Sequence, residues 1–154
     1  MNTRVVLHVE DDQNDVFFLQ HAFQQAGIFN PIEHARDGQQ AIDYLAGAGK
    51  FADRGQYPLP ALILLDLKLP RKSGLEVLQW LRDASDLPTL PVIVFSSSSL
   101  REDIDRAYHL GANSYIVKPA SVEERIELAR LIKGFWLGFN VPPTTERAEM
   151  PLKA

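Results

Sequence analysis

Four short apolar runs punctuate the chain: Val5-Val6-Leu7-His8-Val9, Ala61-Leu62-Ile63-Leu64-Leu65, Pro91-Val92-Ile93-Val94-Phe95 and Ser114-Tyr115-Ile116-Val117. They are continuous rather than alternating, the pattern of parallel strands covered on both faces. A weaker strand is expected near Pro31 to Ala35. Between the runs lie stretches of helical period, at residues 12–26, 38–47, 73–84, 99–111 and 121–138. Strands alternating with helices of this length imply βαβ units. Three helix starts carry a capping-box pattern, Ser73 with Glu76, Ser99 with Glu102 and Ser121 with Glu124, in which Ser and Glu satisfy free amides reciprocally. Right-handed crossovers and short connections then predict an α/β fold, a doubly wound sheet of five parallel strands in the order 2-1-3-4-5 with helices on both faces.

A dinucleotide-binding version of this architecture is disfavoured. The turn after the first strand reads Glu10-Asp11-Asp12-Gln13-Asn14-Asp15, with four carboxylates and no glycine-rich phosphate loop. Such a turn repels a pyrophosphate unless a cation intervenes. The segment from Ala48 to Pro60 is expected to be a long surface connection. From Val141 onward the sequence is polar and proline-rich, and a mobile C-terminal extension over 140–154 is expected to follow a single domain over 1–139, with no effector domain.

Composition narrows the function classes. The 154 residues carry 16 Lys plus Arg against 20 Asp plus Glu, so no global positive field attracts nucleic acid or anionic lipid. No apolar run approaches the roughly 20 residues needed to span a bilayer, and the N-terminus lacks a signal-peptide core, so a cytoplasmic protein is expected. The absence of Cys removes disulfides, thiolate zinc sites and a cysteine nucleophile together. The four His residues have no ligand spacing and are read as structural or surface groups.

Ligands of open α/β sheets sit beyond the carboxyl ends of the strands. The residues there form a coherent set: Glu10, Asp11 and Asp12 after the first strand, Asp66 after the third, Ser96 to Ser99 after the fourth, and Lys118-Pro119 after the fifth. Carboxylates so close raise one another's pKa unless a hard divalent cation neutralises them, and Mg²⁺ takes one or two carboxylates together with phosphate oxygens. The set therefore points to a magnesium-dependent phosphate site. Asp66 can act as a nucleophile that forms an acyl phosphate, with Lys118 and a serine hydroxyl stabilising the phosphoryl oxygens.

Through Val9-Glu10-Asp11-Asp12, Leu64-Leu65-Asp66-Leu67-Lys68-Leu69-Pro70 with Gly74, Val94-Phe95-Ser96-Ser97 and Tyr115-Ile116-Val117-Lys118-Pro119, the sequence resembles the response-regulator receiver domains of two-component signalling. Over residues 3 to 138 the four motifs occur in the family's order. Within the family it is most similar to the stand-alone regulators that partner bacterial phytochrome histidine kinases, in its long connection before the third strand and its aromatic end at Phe135-Trp136-Leu137. The resemblance implies a flavodoxin-like receiver fold and phosphoryl transfer from a sensor histidine kinase to Asp66. It implies Asp11 and Asp66 as direct Mg²⁺ ligands, Glu10 acting on the metal through water, and the backbone carbonyl of Lys68 as a further ligand. Ser96 matches the hydroxyl that follows the phosphoryl group, Lys118 the family's lysine, Tyr115 its aromatic switch and Pro119 its cis-proline. The chain departs from the commoner pattern with Glu at position 10, Ser rather than Thr at 96, and Ser at 97.

A lone Asp at a strand end is ordinarily a turn or cap residue, and only the company of the acidic turn and Lys118 argues otherwise. Two alternatives stay open: an adaptor that is never phosphorylated, and a phosphatase with an aspartyl nucleophile. The latter chemistry wants an acid/base Asp two residues after the nucleophile, where Lys68 stands. Arg71-Lys72 with Lys68 forms a basic rim read as a solvated loop. On the last helix the apolar residues spread over about 240°, far wider than the roughly 100° stripe that covers one sheet face. That surplus predicts a homodimer with Phe135, Trp136 and Phe139 near its centre. With no effector following, the signal is expected to leave through the face formed by the fourth helix, fifth strand and fifth helix.

Overall fold

The computed structural model describes residues 4–144. Five strands, β1 (Val6–Val9), β2 (Ile32–Ala35), β3 (Leu62–Leu65), β4 (Val92–Ser96) and β5 (Ser114–Val117), alternate with five helices, α1 (Gln13–Gln25), α2 (Gly38–Ala46), α3 (Gly74–Asp83), α4 (Arg101–His109) and α5 (Val122–Gly134). The strands are parallel and lie in the order β2-β1-β3-β4-β5, the flavodoxin-like arrangement expected from the alternation of runs and helices.

The continuous apolar runs are explained by the two layers they must fill. Side chains alternate across a strand, so Leu7, Val9, Ile63, Leu65, Val92 and Val94 pack on one face with Tyr44, Leu45, Val77, Leu78 and Leu81. Val6, Leu62, Leu64, Ile93 and Phe95 pack on the other with Leu19, Ala22, Phe23, Ala129 and Ile132. Burying each aliphatic side chain contributes about 1.5–3 kcal/mol, so both faces of the central strands stabilise the sheet.

Side-chain caps account for four of the five helix starts, that of α2 being Asp37, which accepts the Gln40 amide at 2.7 Å. Asp12 caps α1, its Oδ1 accepting the amides of Asn14 and Asp15, and Ser73 with Glu76 forms the full reciprocal box. Ser121 accepts the Glu124 amide, one half of the expected box. The expected cap at Ser99 is corrected: α4 begins at Arg101, and the exposed Ser99 plays no part in it. The N-cap position is Leu100, with no side-chain cap, and the buried Ser98 before it ties the loop to the helix by donating from Oγ to Asp103 at 2.5 Å and accepting the Leu100 amide at 3.3 Å.

Two other expectations change. The connection before β3 is not merely superficial. It holds a 3₁₀ turn (Gly49–Ala52), whose Phe51 is buried against Tyr44 and Tyr57 with ring centroids 5.0–6.0 Å apart. Arg54 binds the free carbonyls at the end of α2, donating to Tyr44 O at 2.8 Å and Leu45 O at 2.9 Å. The last helix does not run regularly to residue 138: α5 ends at Gly134 and a π-helical turn spans Phe135–Phe139, closed by the Asn140 amide on Phe135 O. Wider turns rotate Trp136 and Leu137 onto the α1/α5 core and leave Phe135 and Phe139 exposed, so the 240° arc narrows at its end. Residues 145–154, most of the expected mobile extension, lie outside those described.

Gly74 fixes α3 against the end of β3. A Cβ there would stand 2.0 Å from Asp66 O and 2.7 Å from Leu67 Cα, so no side chain fits without moving backbone. At Gly134 a Cβ meets open space. Gly74→Ala should lower the unfolding free energy by about 1–3 kcal/mol, as overpacking does, while Gly134→Ala should be neutral or stabilising. Urea unfolding checks this, and equal effects at the two positions contradict the packing described.

Candidate functional site

Register brings the expected residues to one edge of the sheet. Val9 and Leu65 are paired neighbours on adjacent strands, so Glu10 and Asp66 leave the sheet side by side. Their amides are held by Ala35 O and Val9 O at 3.0 and 3.1 Å. On the other side Ser96 pairs with Val117, and the Lys118 amide donates to Ser96 O at 2.8 Å. The Lys118 side chain can therefore cross the end of β4 to reach the ends of β3 and β1.

It does so as a buried ammonium among three carboxylates. Lys118 Nζ lies 2.8 Å from Glu10 Oε2, 2.8 Å from Asp15 Oδ2 and 3.5 Å from Asp66 Oδ2. The opposite oxygens are fixed by backbone: Asp66 Oδ1 accepts the Leu67 amide at 2.8 Å and Glu10 Oε1 the Asp12 amide at 3.1 Å. Burial pushes the Glu10 carboxyl up to about 7; the hydrogen bond from Lys118 works against the rise and the charge of Asp66 adds to it. For Lys118 burial disfavours the charge, but hydrogen bonds to Asp15 and Glu10 and the charge of Asp66 outweigh it and raise its pKa. One ammonium cannot satisfy three carboxylates, so negative charge is left over. Glu10, Asp11 and Asp66 each offer an oxygen, all within 4.8 Å of one another, with Asp11 exposed to solvent. An all-oxygen donor set with surplus negative charge fits a hard divalent cation.

The hydroxyl and aromatic positions are linked through the β4–α4 loop. Ser96 is fully buried and its Oγ accepts the Ser98 amide at 3.2 Å. Ser98 O in turn accepts the Tyr115 hydroxyl at 2.8 Å, and the Tyr115 amide donates to the Tyr108 hydroxyl at 3.1 Å. A hydrogen-bonded path thus runs from the strand ends to the α4–β5 face. Lys68 is exposed in the loop after Asp66. Phe135, Trp136 and Phe139 lie on the π turn away from this cluster; Phe135 and Trp136 pack edge to face at 5.1 Å.

The expected cis-proline is corrected: no peptide bond among the described residues is cis, Pro119 included. Trans is the lower-energy isomer of an X-Pro bond, and here the loop is shaped by the Lys118 amide on Ser96 O and by Arg125 Nε donating to Pro119 O at 2.9 Å.

Two participants were missed from the sequence. Asp15, in the sequence one of the four acids of the turn, sits in the first turn of a helix capped by Asp12 and reaches Lys118 from there. Arg125 reaches Asp15 Oδ1 at 3.6 Å from α5 and stacks over Phe18 at 5.0 Å, a pairing that no local pattern announces. Beneath the site His8 is buried with neither ring nitrogen bonded; burial, with the nearby His34 and Lys118 charges, draws its pKa down to about 3 and keeps it neutral. His34 Nε2 lies 2.7 Å from Glu10 O.

Comparison with known proteins gives the family. Residues 6–130 match the response regulator receiver domain. The probable methanogenesis regulatory protein FilR2 of Methanothrix harundinacea is 37% identical over 139 residues, covering 90% of this chain and 87% of that protein. Among solved structures, the response regulator RPA3017 in red light signaling of R. palustris is 38% identical with a TM-score of 0.86, covering 92% of this chain and 99% of that one. The phosphorylated cyanobacterial phytochrome response regulator RcpA is 34% identical with a TM-score of 0.85, covering 93% and 100%. With the family match spanning the strand ends that carry Glu10, Asp66, Ser96 and Lys118, this chain belongs to the response-regulator receiver family.

Proposed function

We propose that the chain is a response-regulator receiver that takes a phosphoryl group from a phosphohistidine of a sensor kinase onto Asp66 and later loses it to water. The observation that carries this reading is the buried Lys118 ammonium set among Glu10, Asp15 and Asp66 where three strands end. It accounts for an acidic residue that is held in place and neutralised at one oxygen while the site as a whole still lacks positive charge. Asp66 supplies the nucleophilic carboxylate, oriented by the Leu67 amide. Lys118 stabilises the charge on the transferred group, and Ser96 hydrogen bonds to it after leaving the Ser98 amide. Mg²⁺ is the proposed cofactor, which Glu10, Asp11, Asp66 and the Lys68 carbonyl would hold. When bound it neutralises the surplus carboxylate charge and the phosphoryl oxygens together.

Movement of Ser96 disturbs the loop whose Ser98 carbonyl holds Tyr115, and so alters the face of α4, β5 and α5. Output is through protein contacts at that face. The names of RPA3017 and RcpA support a kinase of the phytochrome type as partner. Among the described residues no helix is long and apolar enough to cross a membrane, in keeping with a cytoplasmic site of action. The exposed Phe135 and Phe139, 54% and 89% accessible, support a homodimer centred on the π turn, with Trp136 behind them as a rigid support.

Incubation with acetyl phosphate and Mg²⁺ should give one phosphoryl group per chain by intact mass, absent in Asp66→Asn. Failure to label with any donor, the kinase included, indicates the adaptor alternative, and rapid turnover of many phosphomonoesters indicates a phosphatase. Sedimentation at micromolar concentration should show a wild-type dimer and a Phe135→Ala/Phe139→Ala monomer. A wild-type chain that stays monomeric with and without beryllofluoride contradicts the dimer.

A further inference from the structure

Lys118 makes its two short contacts to Glu10 and Asp15, at 2.8 Å each, and stands 0.7 Å further from Asp66, at 3.5 Å. Glu10 is a strand-end neighbour of Asp66, so its pull keeps the ammonium close to the acceptor. Asp15 pulls from another element, the first turn of α1. Its own geometry is fixed from both sides. The Asp15 amide is bonded to the capping Asp12, and Asp15 Oδ1 faces Arg125 Nη1 at 3.6 Å. Arg125 is in turn anchored to Pro119 O, one residue after Lys118, and to the ring of Phe18. Asp15 is thus a rigid anionic socket, mostly shielded from solvent, next to the lysine's resting position.

We propose that Asp15 is a positioning residue that holds the Lys118 ammonium back from Asp66 in the resting state and competes with the phosphoryl group for it. The inference rests on the receiver reading and adds a residue outside the family motifs that Lys118, Asp66 and Glu10 belong to. The ammonium sits at 2.8 Å from Asp15 and 3.5 Å from Asp66, so drawing it toward a new dianionic group beside Asp66 lengthens and weakens the Asp15 contact. Weakening that charge-assisted bond opposes the phosphorylated state. The weakened bond is set against the new one, and the difference appears as affinity for any phosphoryl mimic. A purely structural Asp15, tying α1 to α5 through Arg125, would leave that affinity alone.

Beryllofluoride titration of the full chain at saturating Mg²⁺, followed by ¹⁹F NMR, separates these cases. Asp15→Asn should bind beryllofluoride about tenfold more tightly than wild type, and Asp15→Ala, which leaves no amide oxygen for the ammonium, at least as tightly. Asp15→Glu should restore the wild-type value. In the unliganded Asp15→Asn protein the Lys118 ε-carbon resonance should already have moved from its wild-type position toward that of the beryllofluoride complex. Unchanged affinity in both neutral variants overturns the inference and leaves the receiver reading intact. Tighter binding with an unmoved Lys118 resonance also overturns it, since Asp15 would then act by direct charge repulsion. A wild-type chain that binds no beryllofluoride overturns the receiver reading and this inference with it. Asp12 keeps the helix cap in every variant, and amide spectra verify the fold.

Discussion

A single buried ammonium faces more carboxylate charge than it can neutralise, and the rest of the molecule is arranged around that imbalance. Lys118 bonds Glu10 and Asp15 and stands near Asp66. Each carboxylate has left water, and a buried charge is tolerated only with a partner. Burial, with the charge of Asp66 added to it, raises Glu10 toward neutrality against the pull of Lys118. The surplus negative charge suits a divalent cation, which would neutralise it and offset the further charge that a phosphoryl group would bring. The same imbalance that makes the resting site imperfect makes it responsive.

The fold maintains this arrangement because Glu10, Asp66 and Lys118 each follow directly on the end of a strand, while Asp15 comes in from the first turn of α1. Parallel register sets Glu10 beside Asp66, and the β4–β5 pairing delivers Lys118 across the end of β4. Apolar layers on both faces keep these strand ends from shifting independently. Gly74 allows α3 to begin in contact with the Asp66 backbone, so Asp66 is held against the start of that helix. The softer elements are loops. Ser96, Ser98 and Tyr115 are joined by single hydrogen bonds, each of modest net worth of about 1 kcal/mol, the kind of link that a new charge can exchange.

Strand order, helix placement and the identity of the strand-end residues were legible because each depends on local periodicity or on a motif read in place. Continuous β-branched runs announce buried parallel strands, and the acids and Lys118 follow directly after them. What could not be read required contacts between distant segments. Ser98 displaces Ser99 as the loop's anchor because Asp103 draws it inward, a matter of burial rather than of spacing. The π turn at Phe135–Phe139 changes which aromatic residues face the core, and an arc drawn at 100° per residue fails there. Phe51 and Tyr57 join the core only because Tyr44 offers them a surface. Asp15 and Arg125 meet across α1 and α5, 110 positions apart in sequence, where no periodic signal reaches.

The most direct test of the electrostatic account is to remove the ammonium and leave the carboxylates. Lys118→Met should be less stable than wild type in metal-free buffer, by about 2–4 kcal/mol near pH 8, with a smaller deficit near pH 6, where the orphaned acids can take up protons. It should also bind Mg²⁺ more tightly than wild type, and saturating Mg²⁺ should recover much of the lost stability. Urea unfolding at the two pH values, with and without Mg²⁺, measures all of this. A Lys118→Met protein with wild-type stability at both pH values and unchanged or weaker affinity for Mg²⁺ would contradict the account.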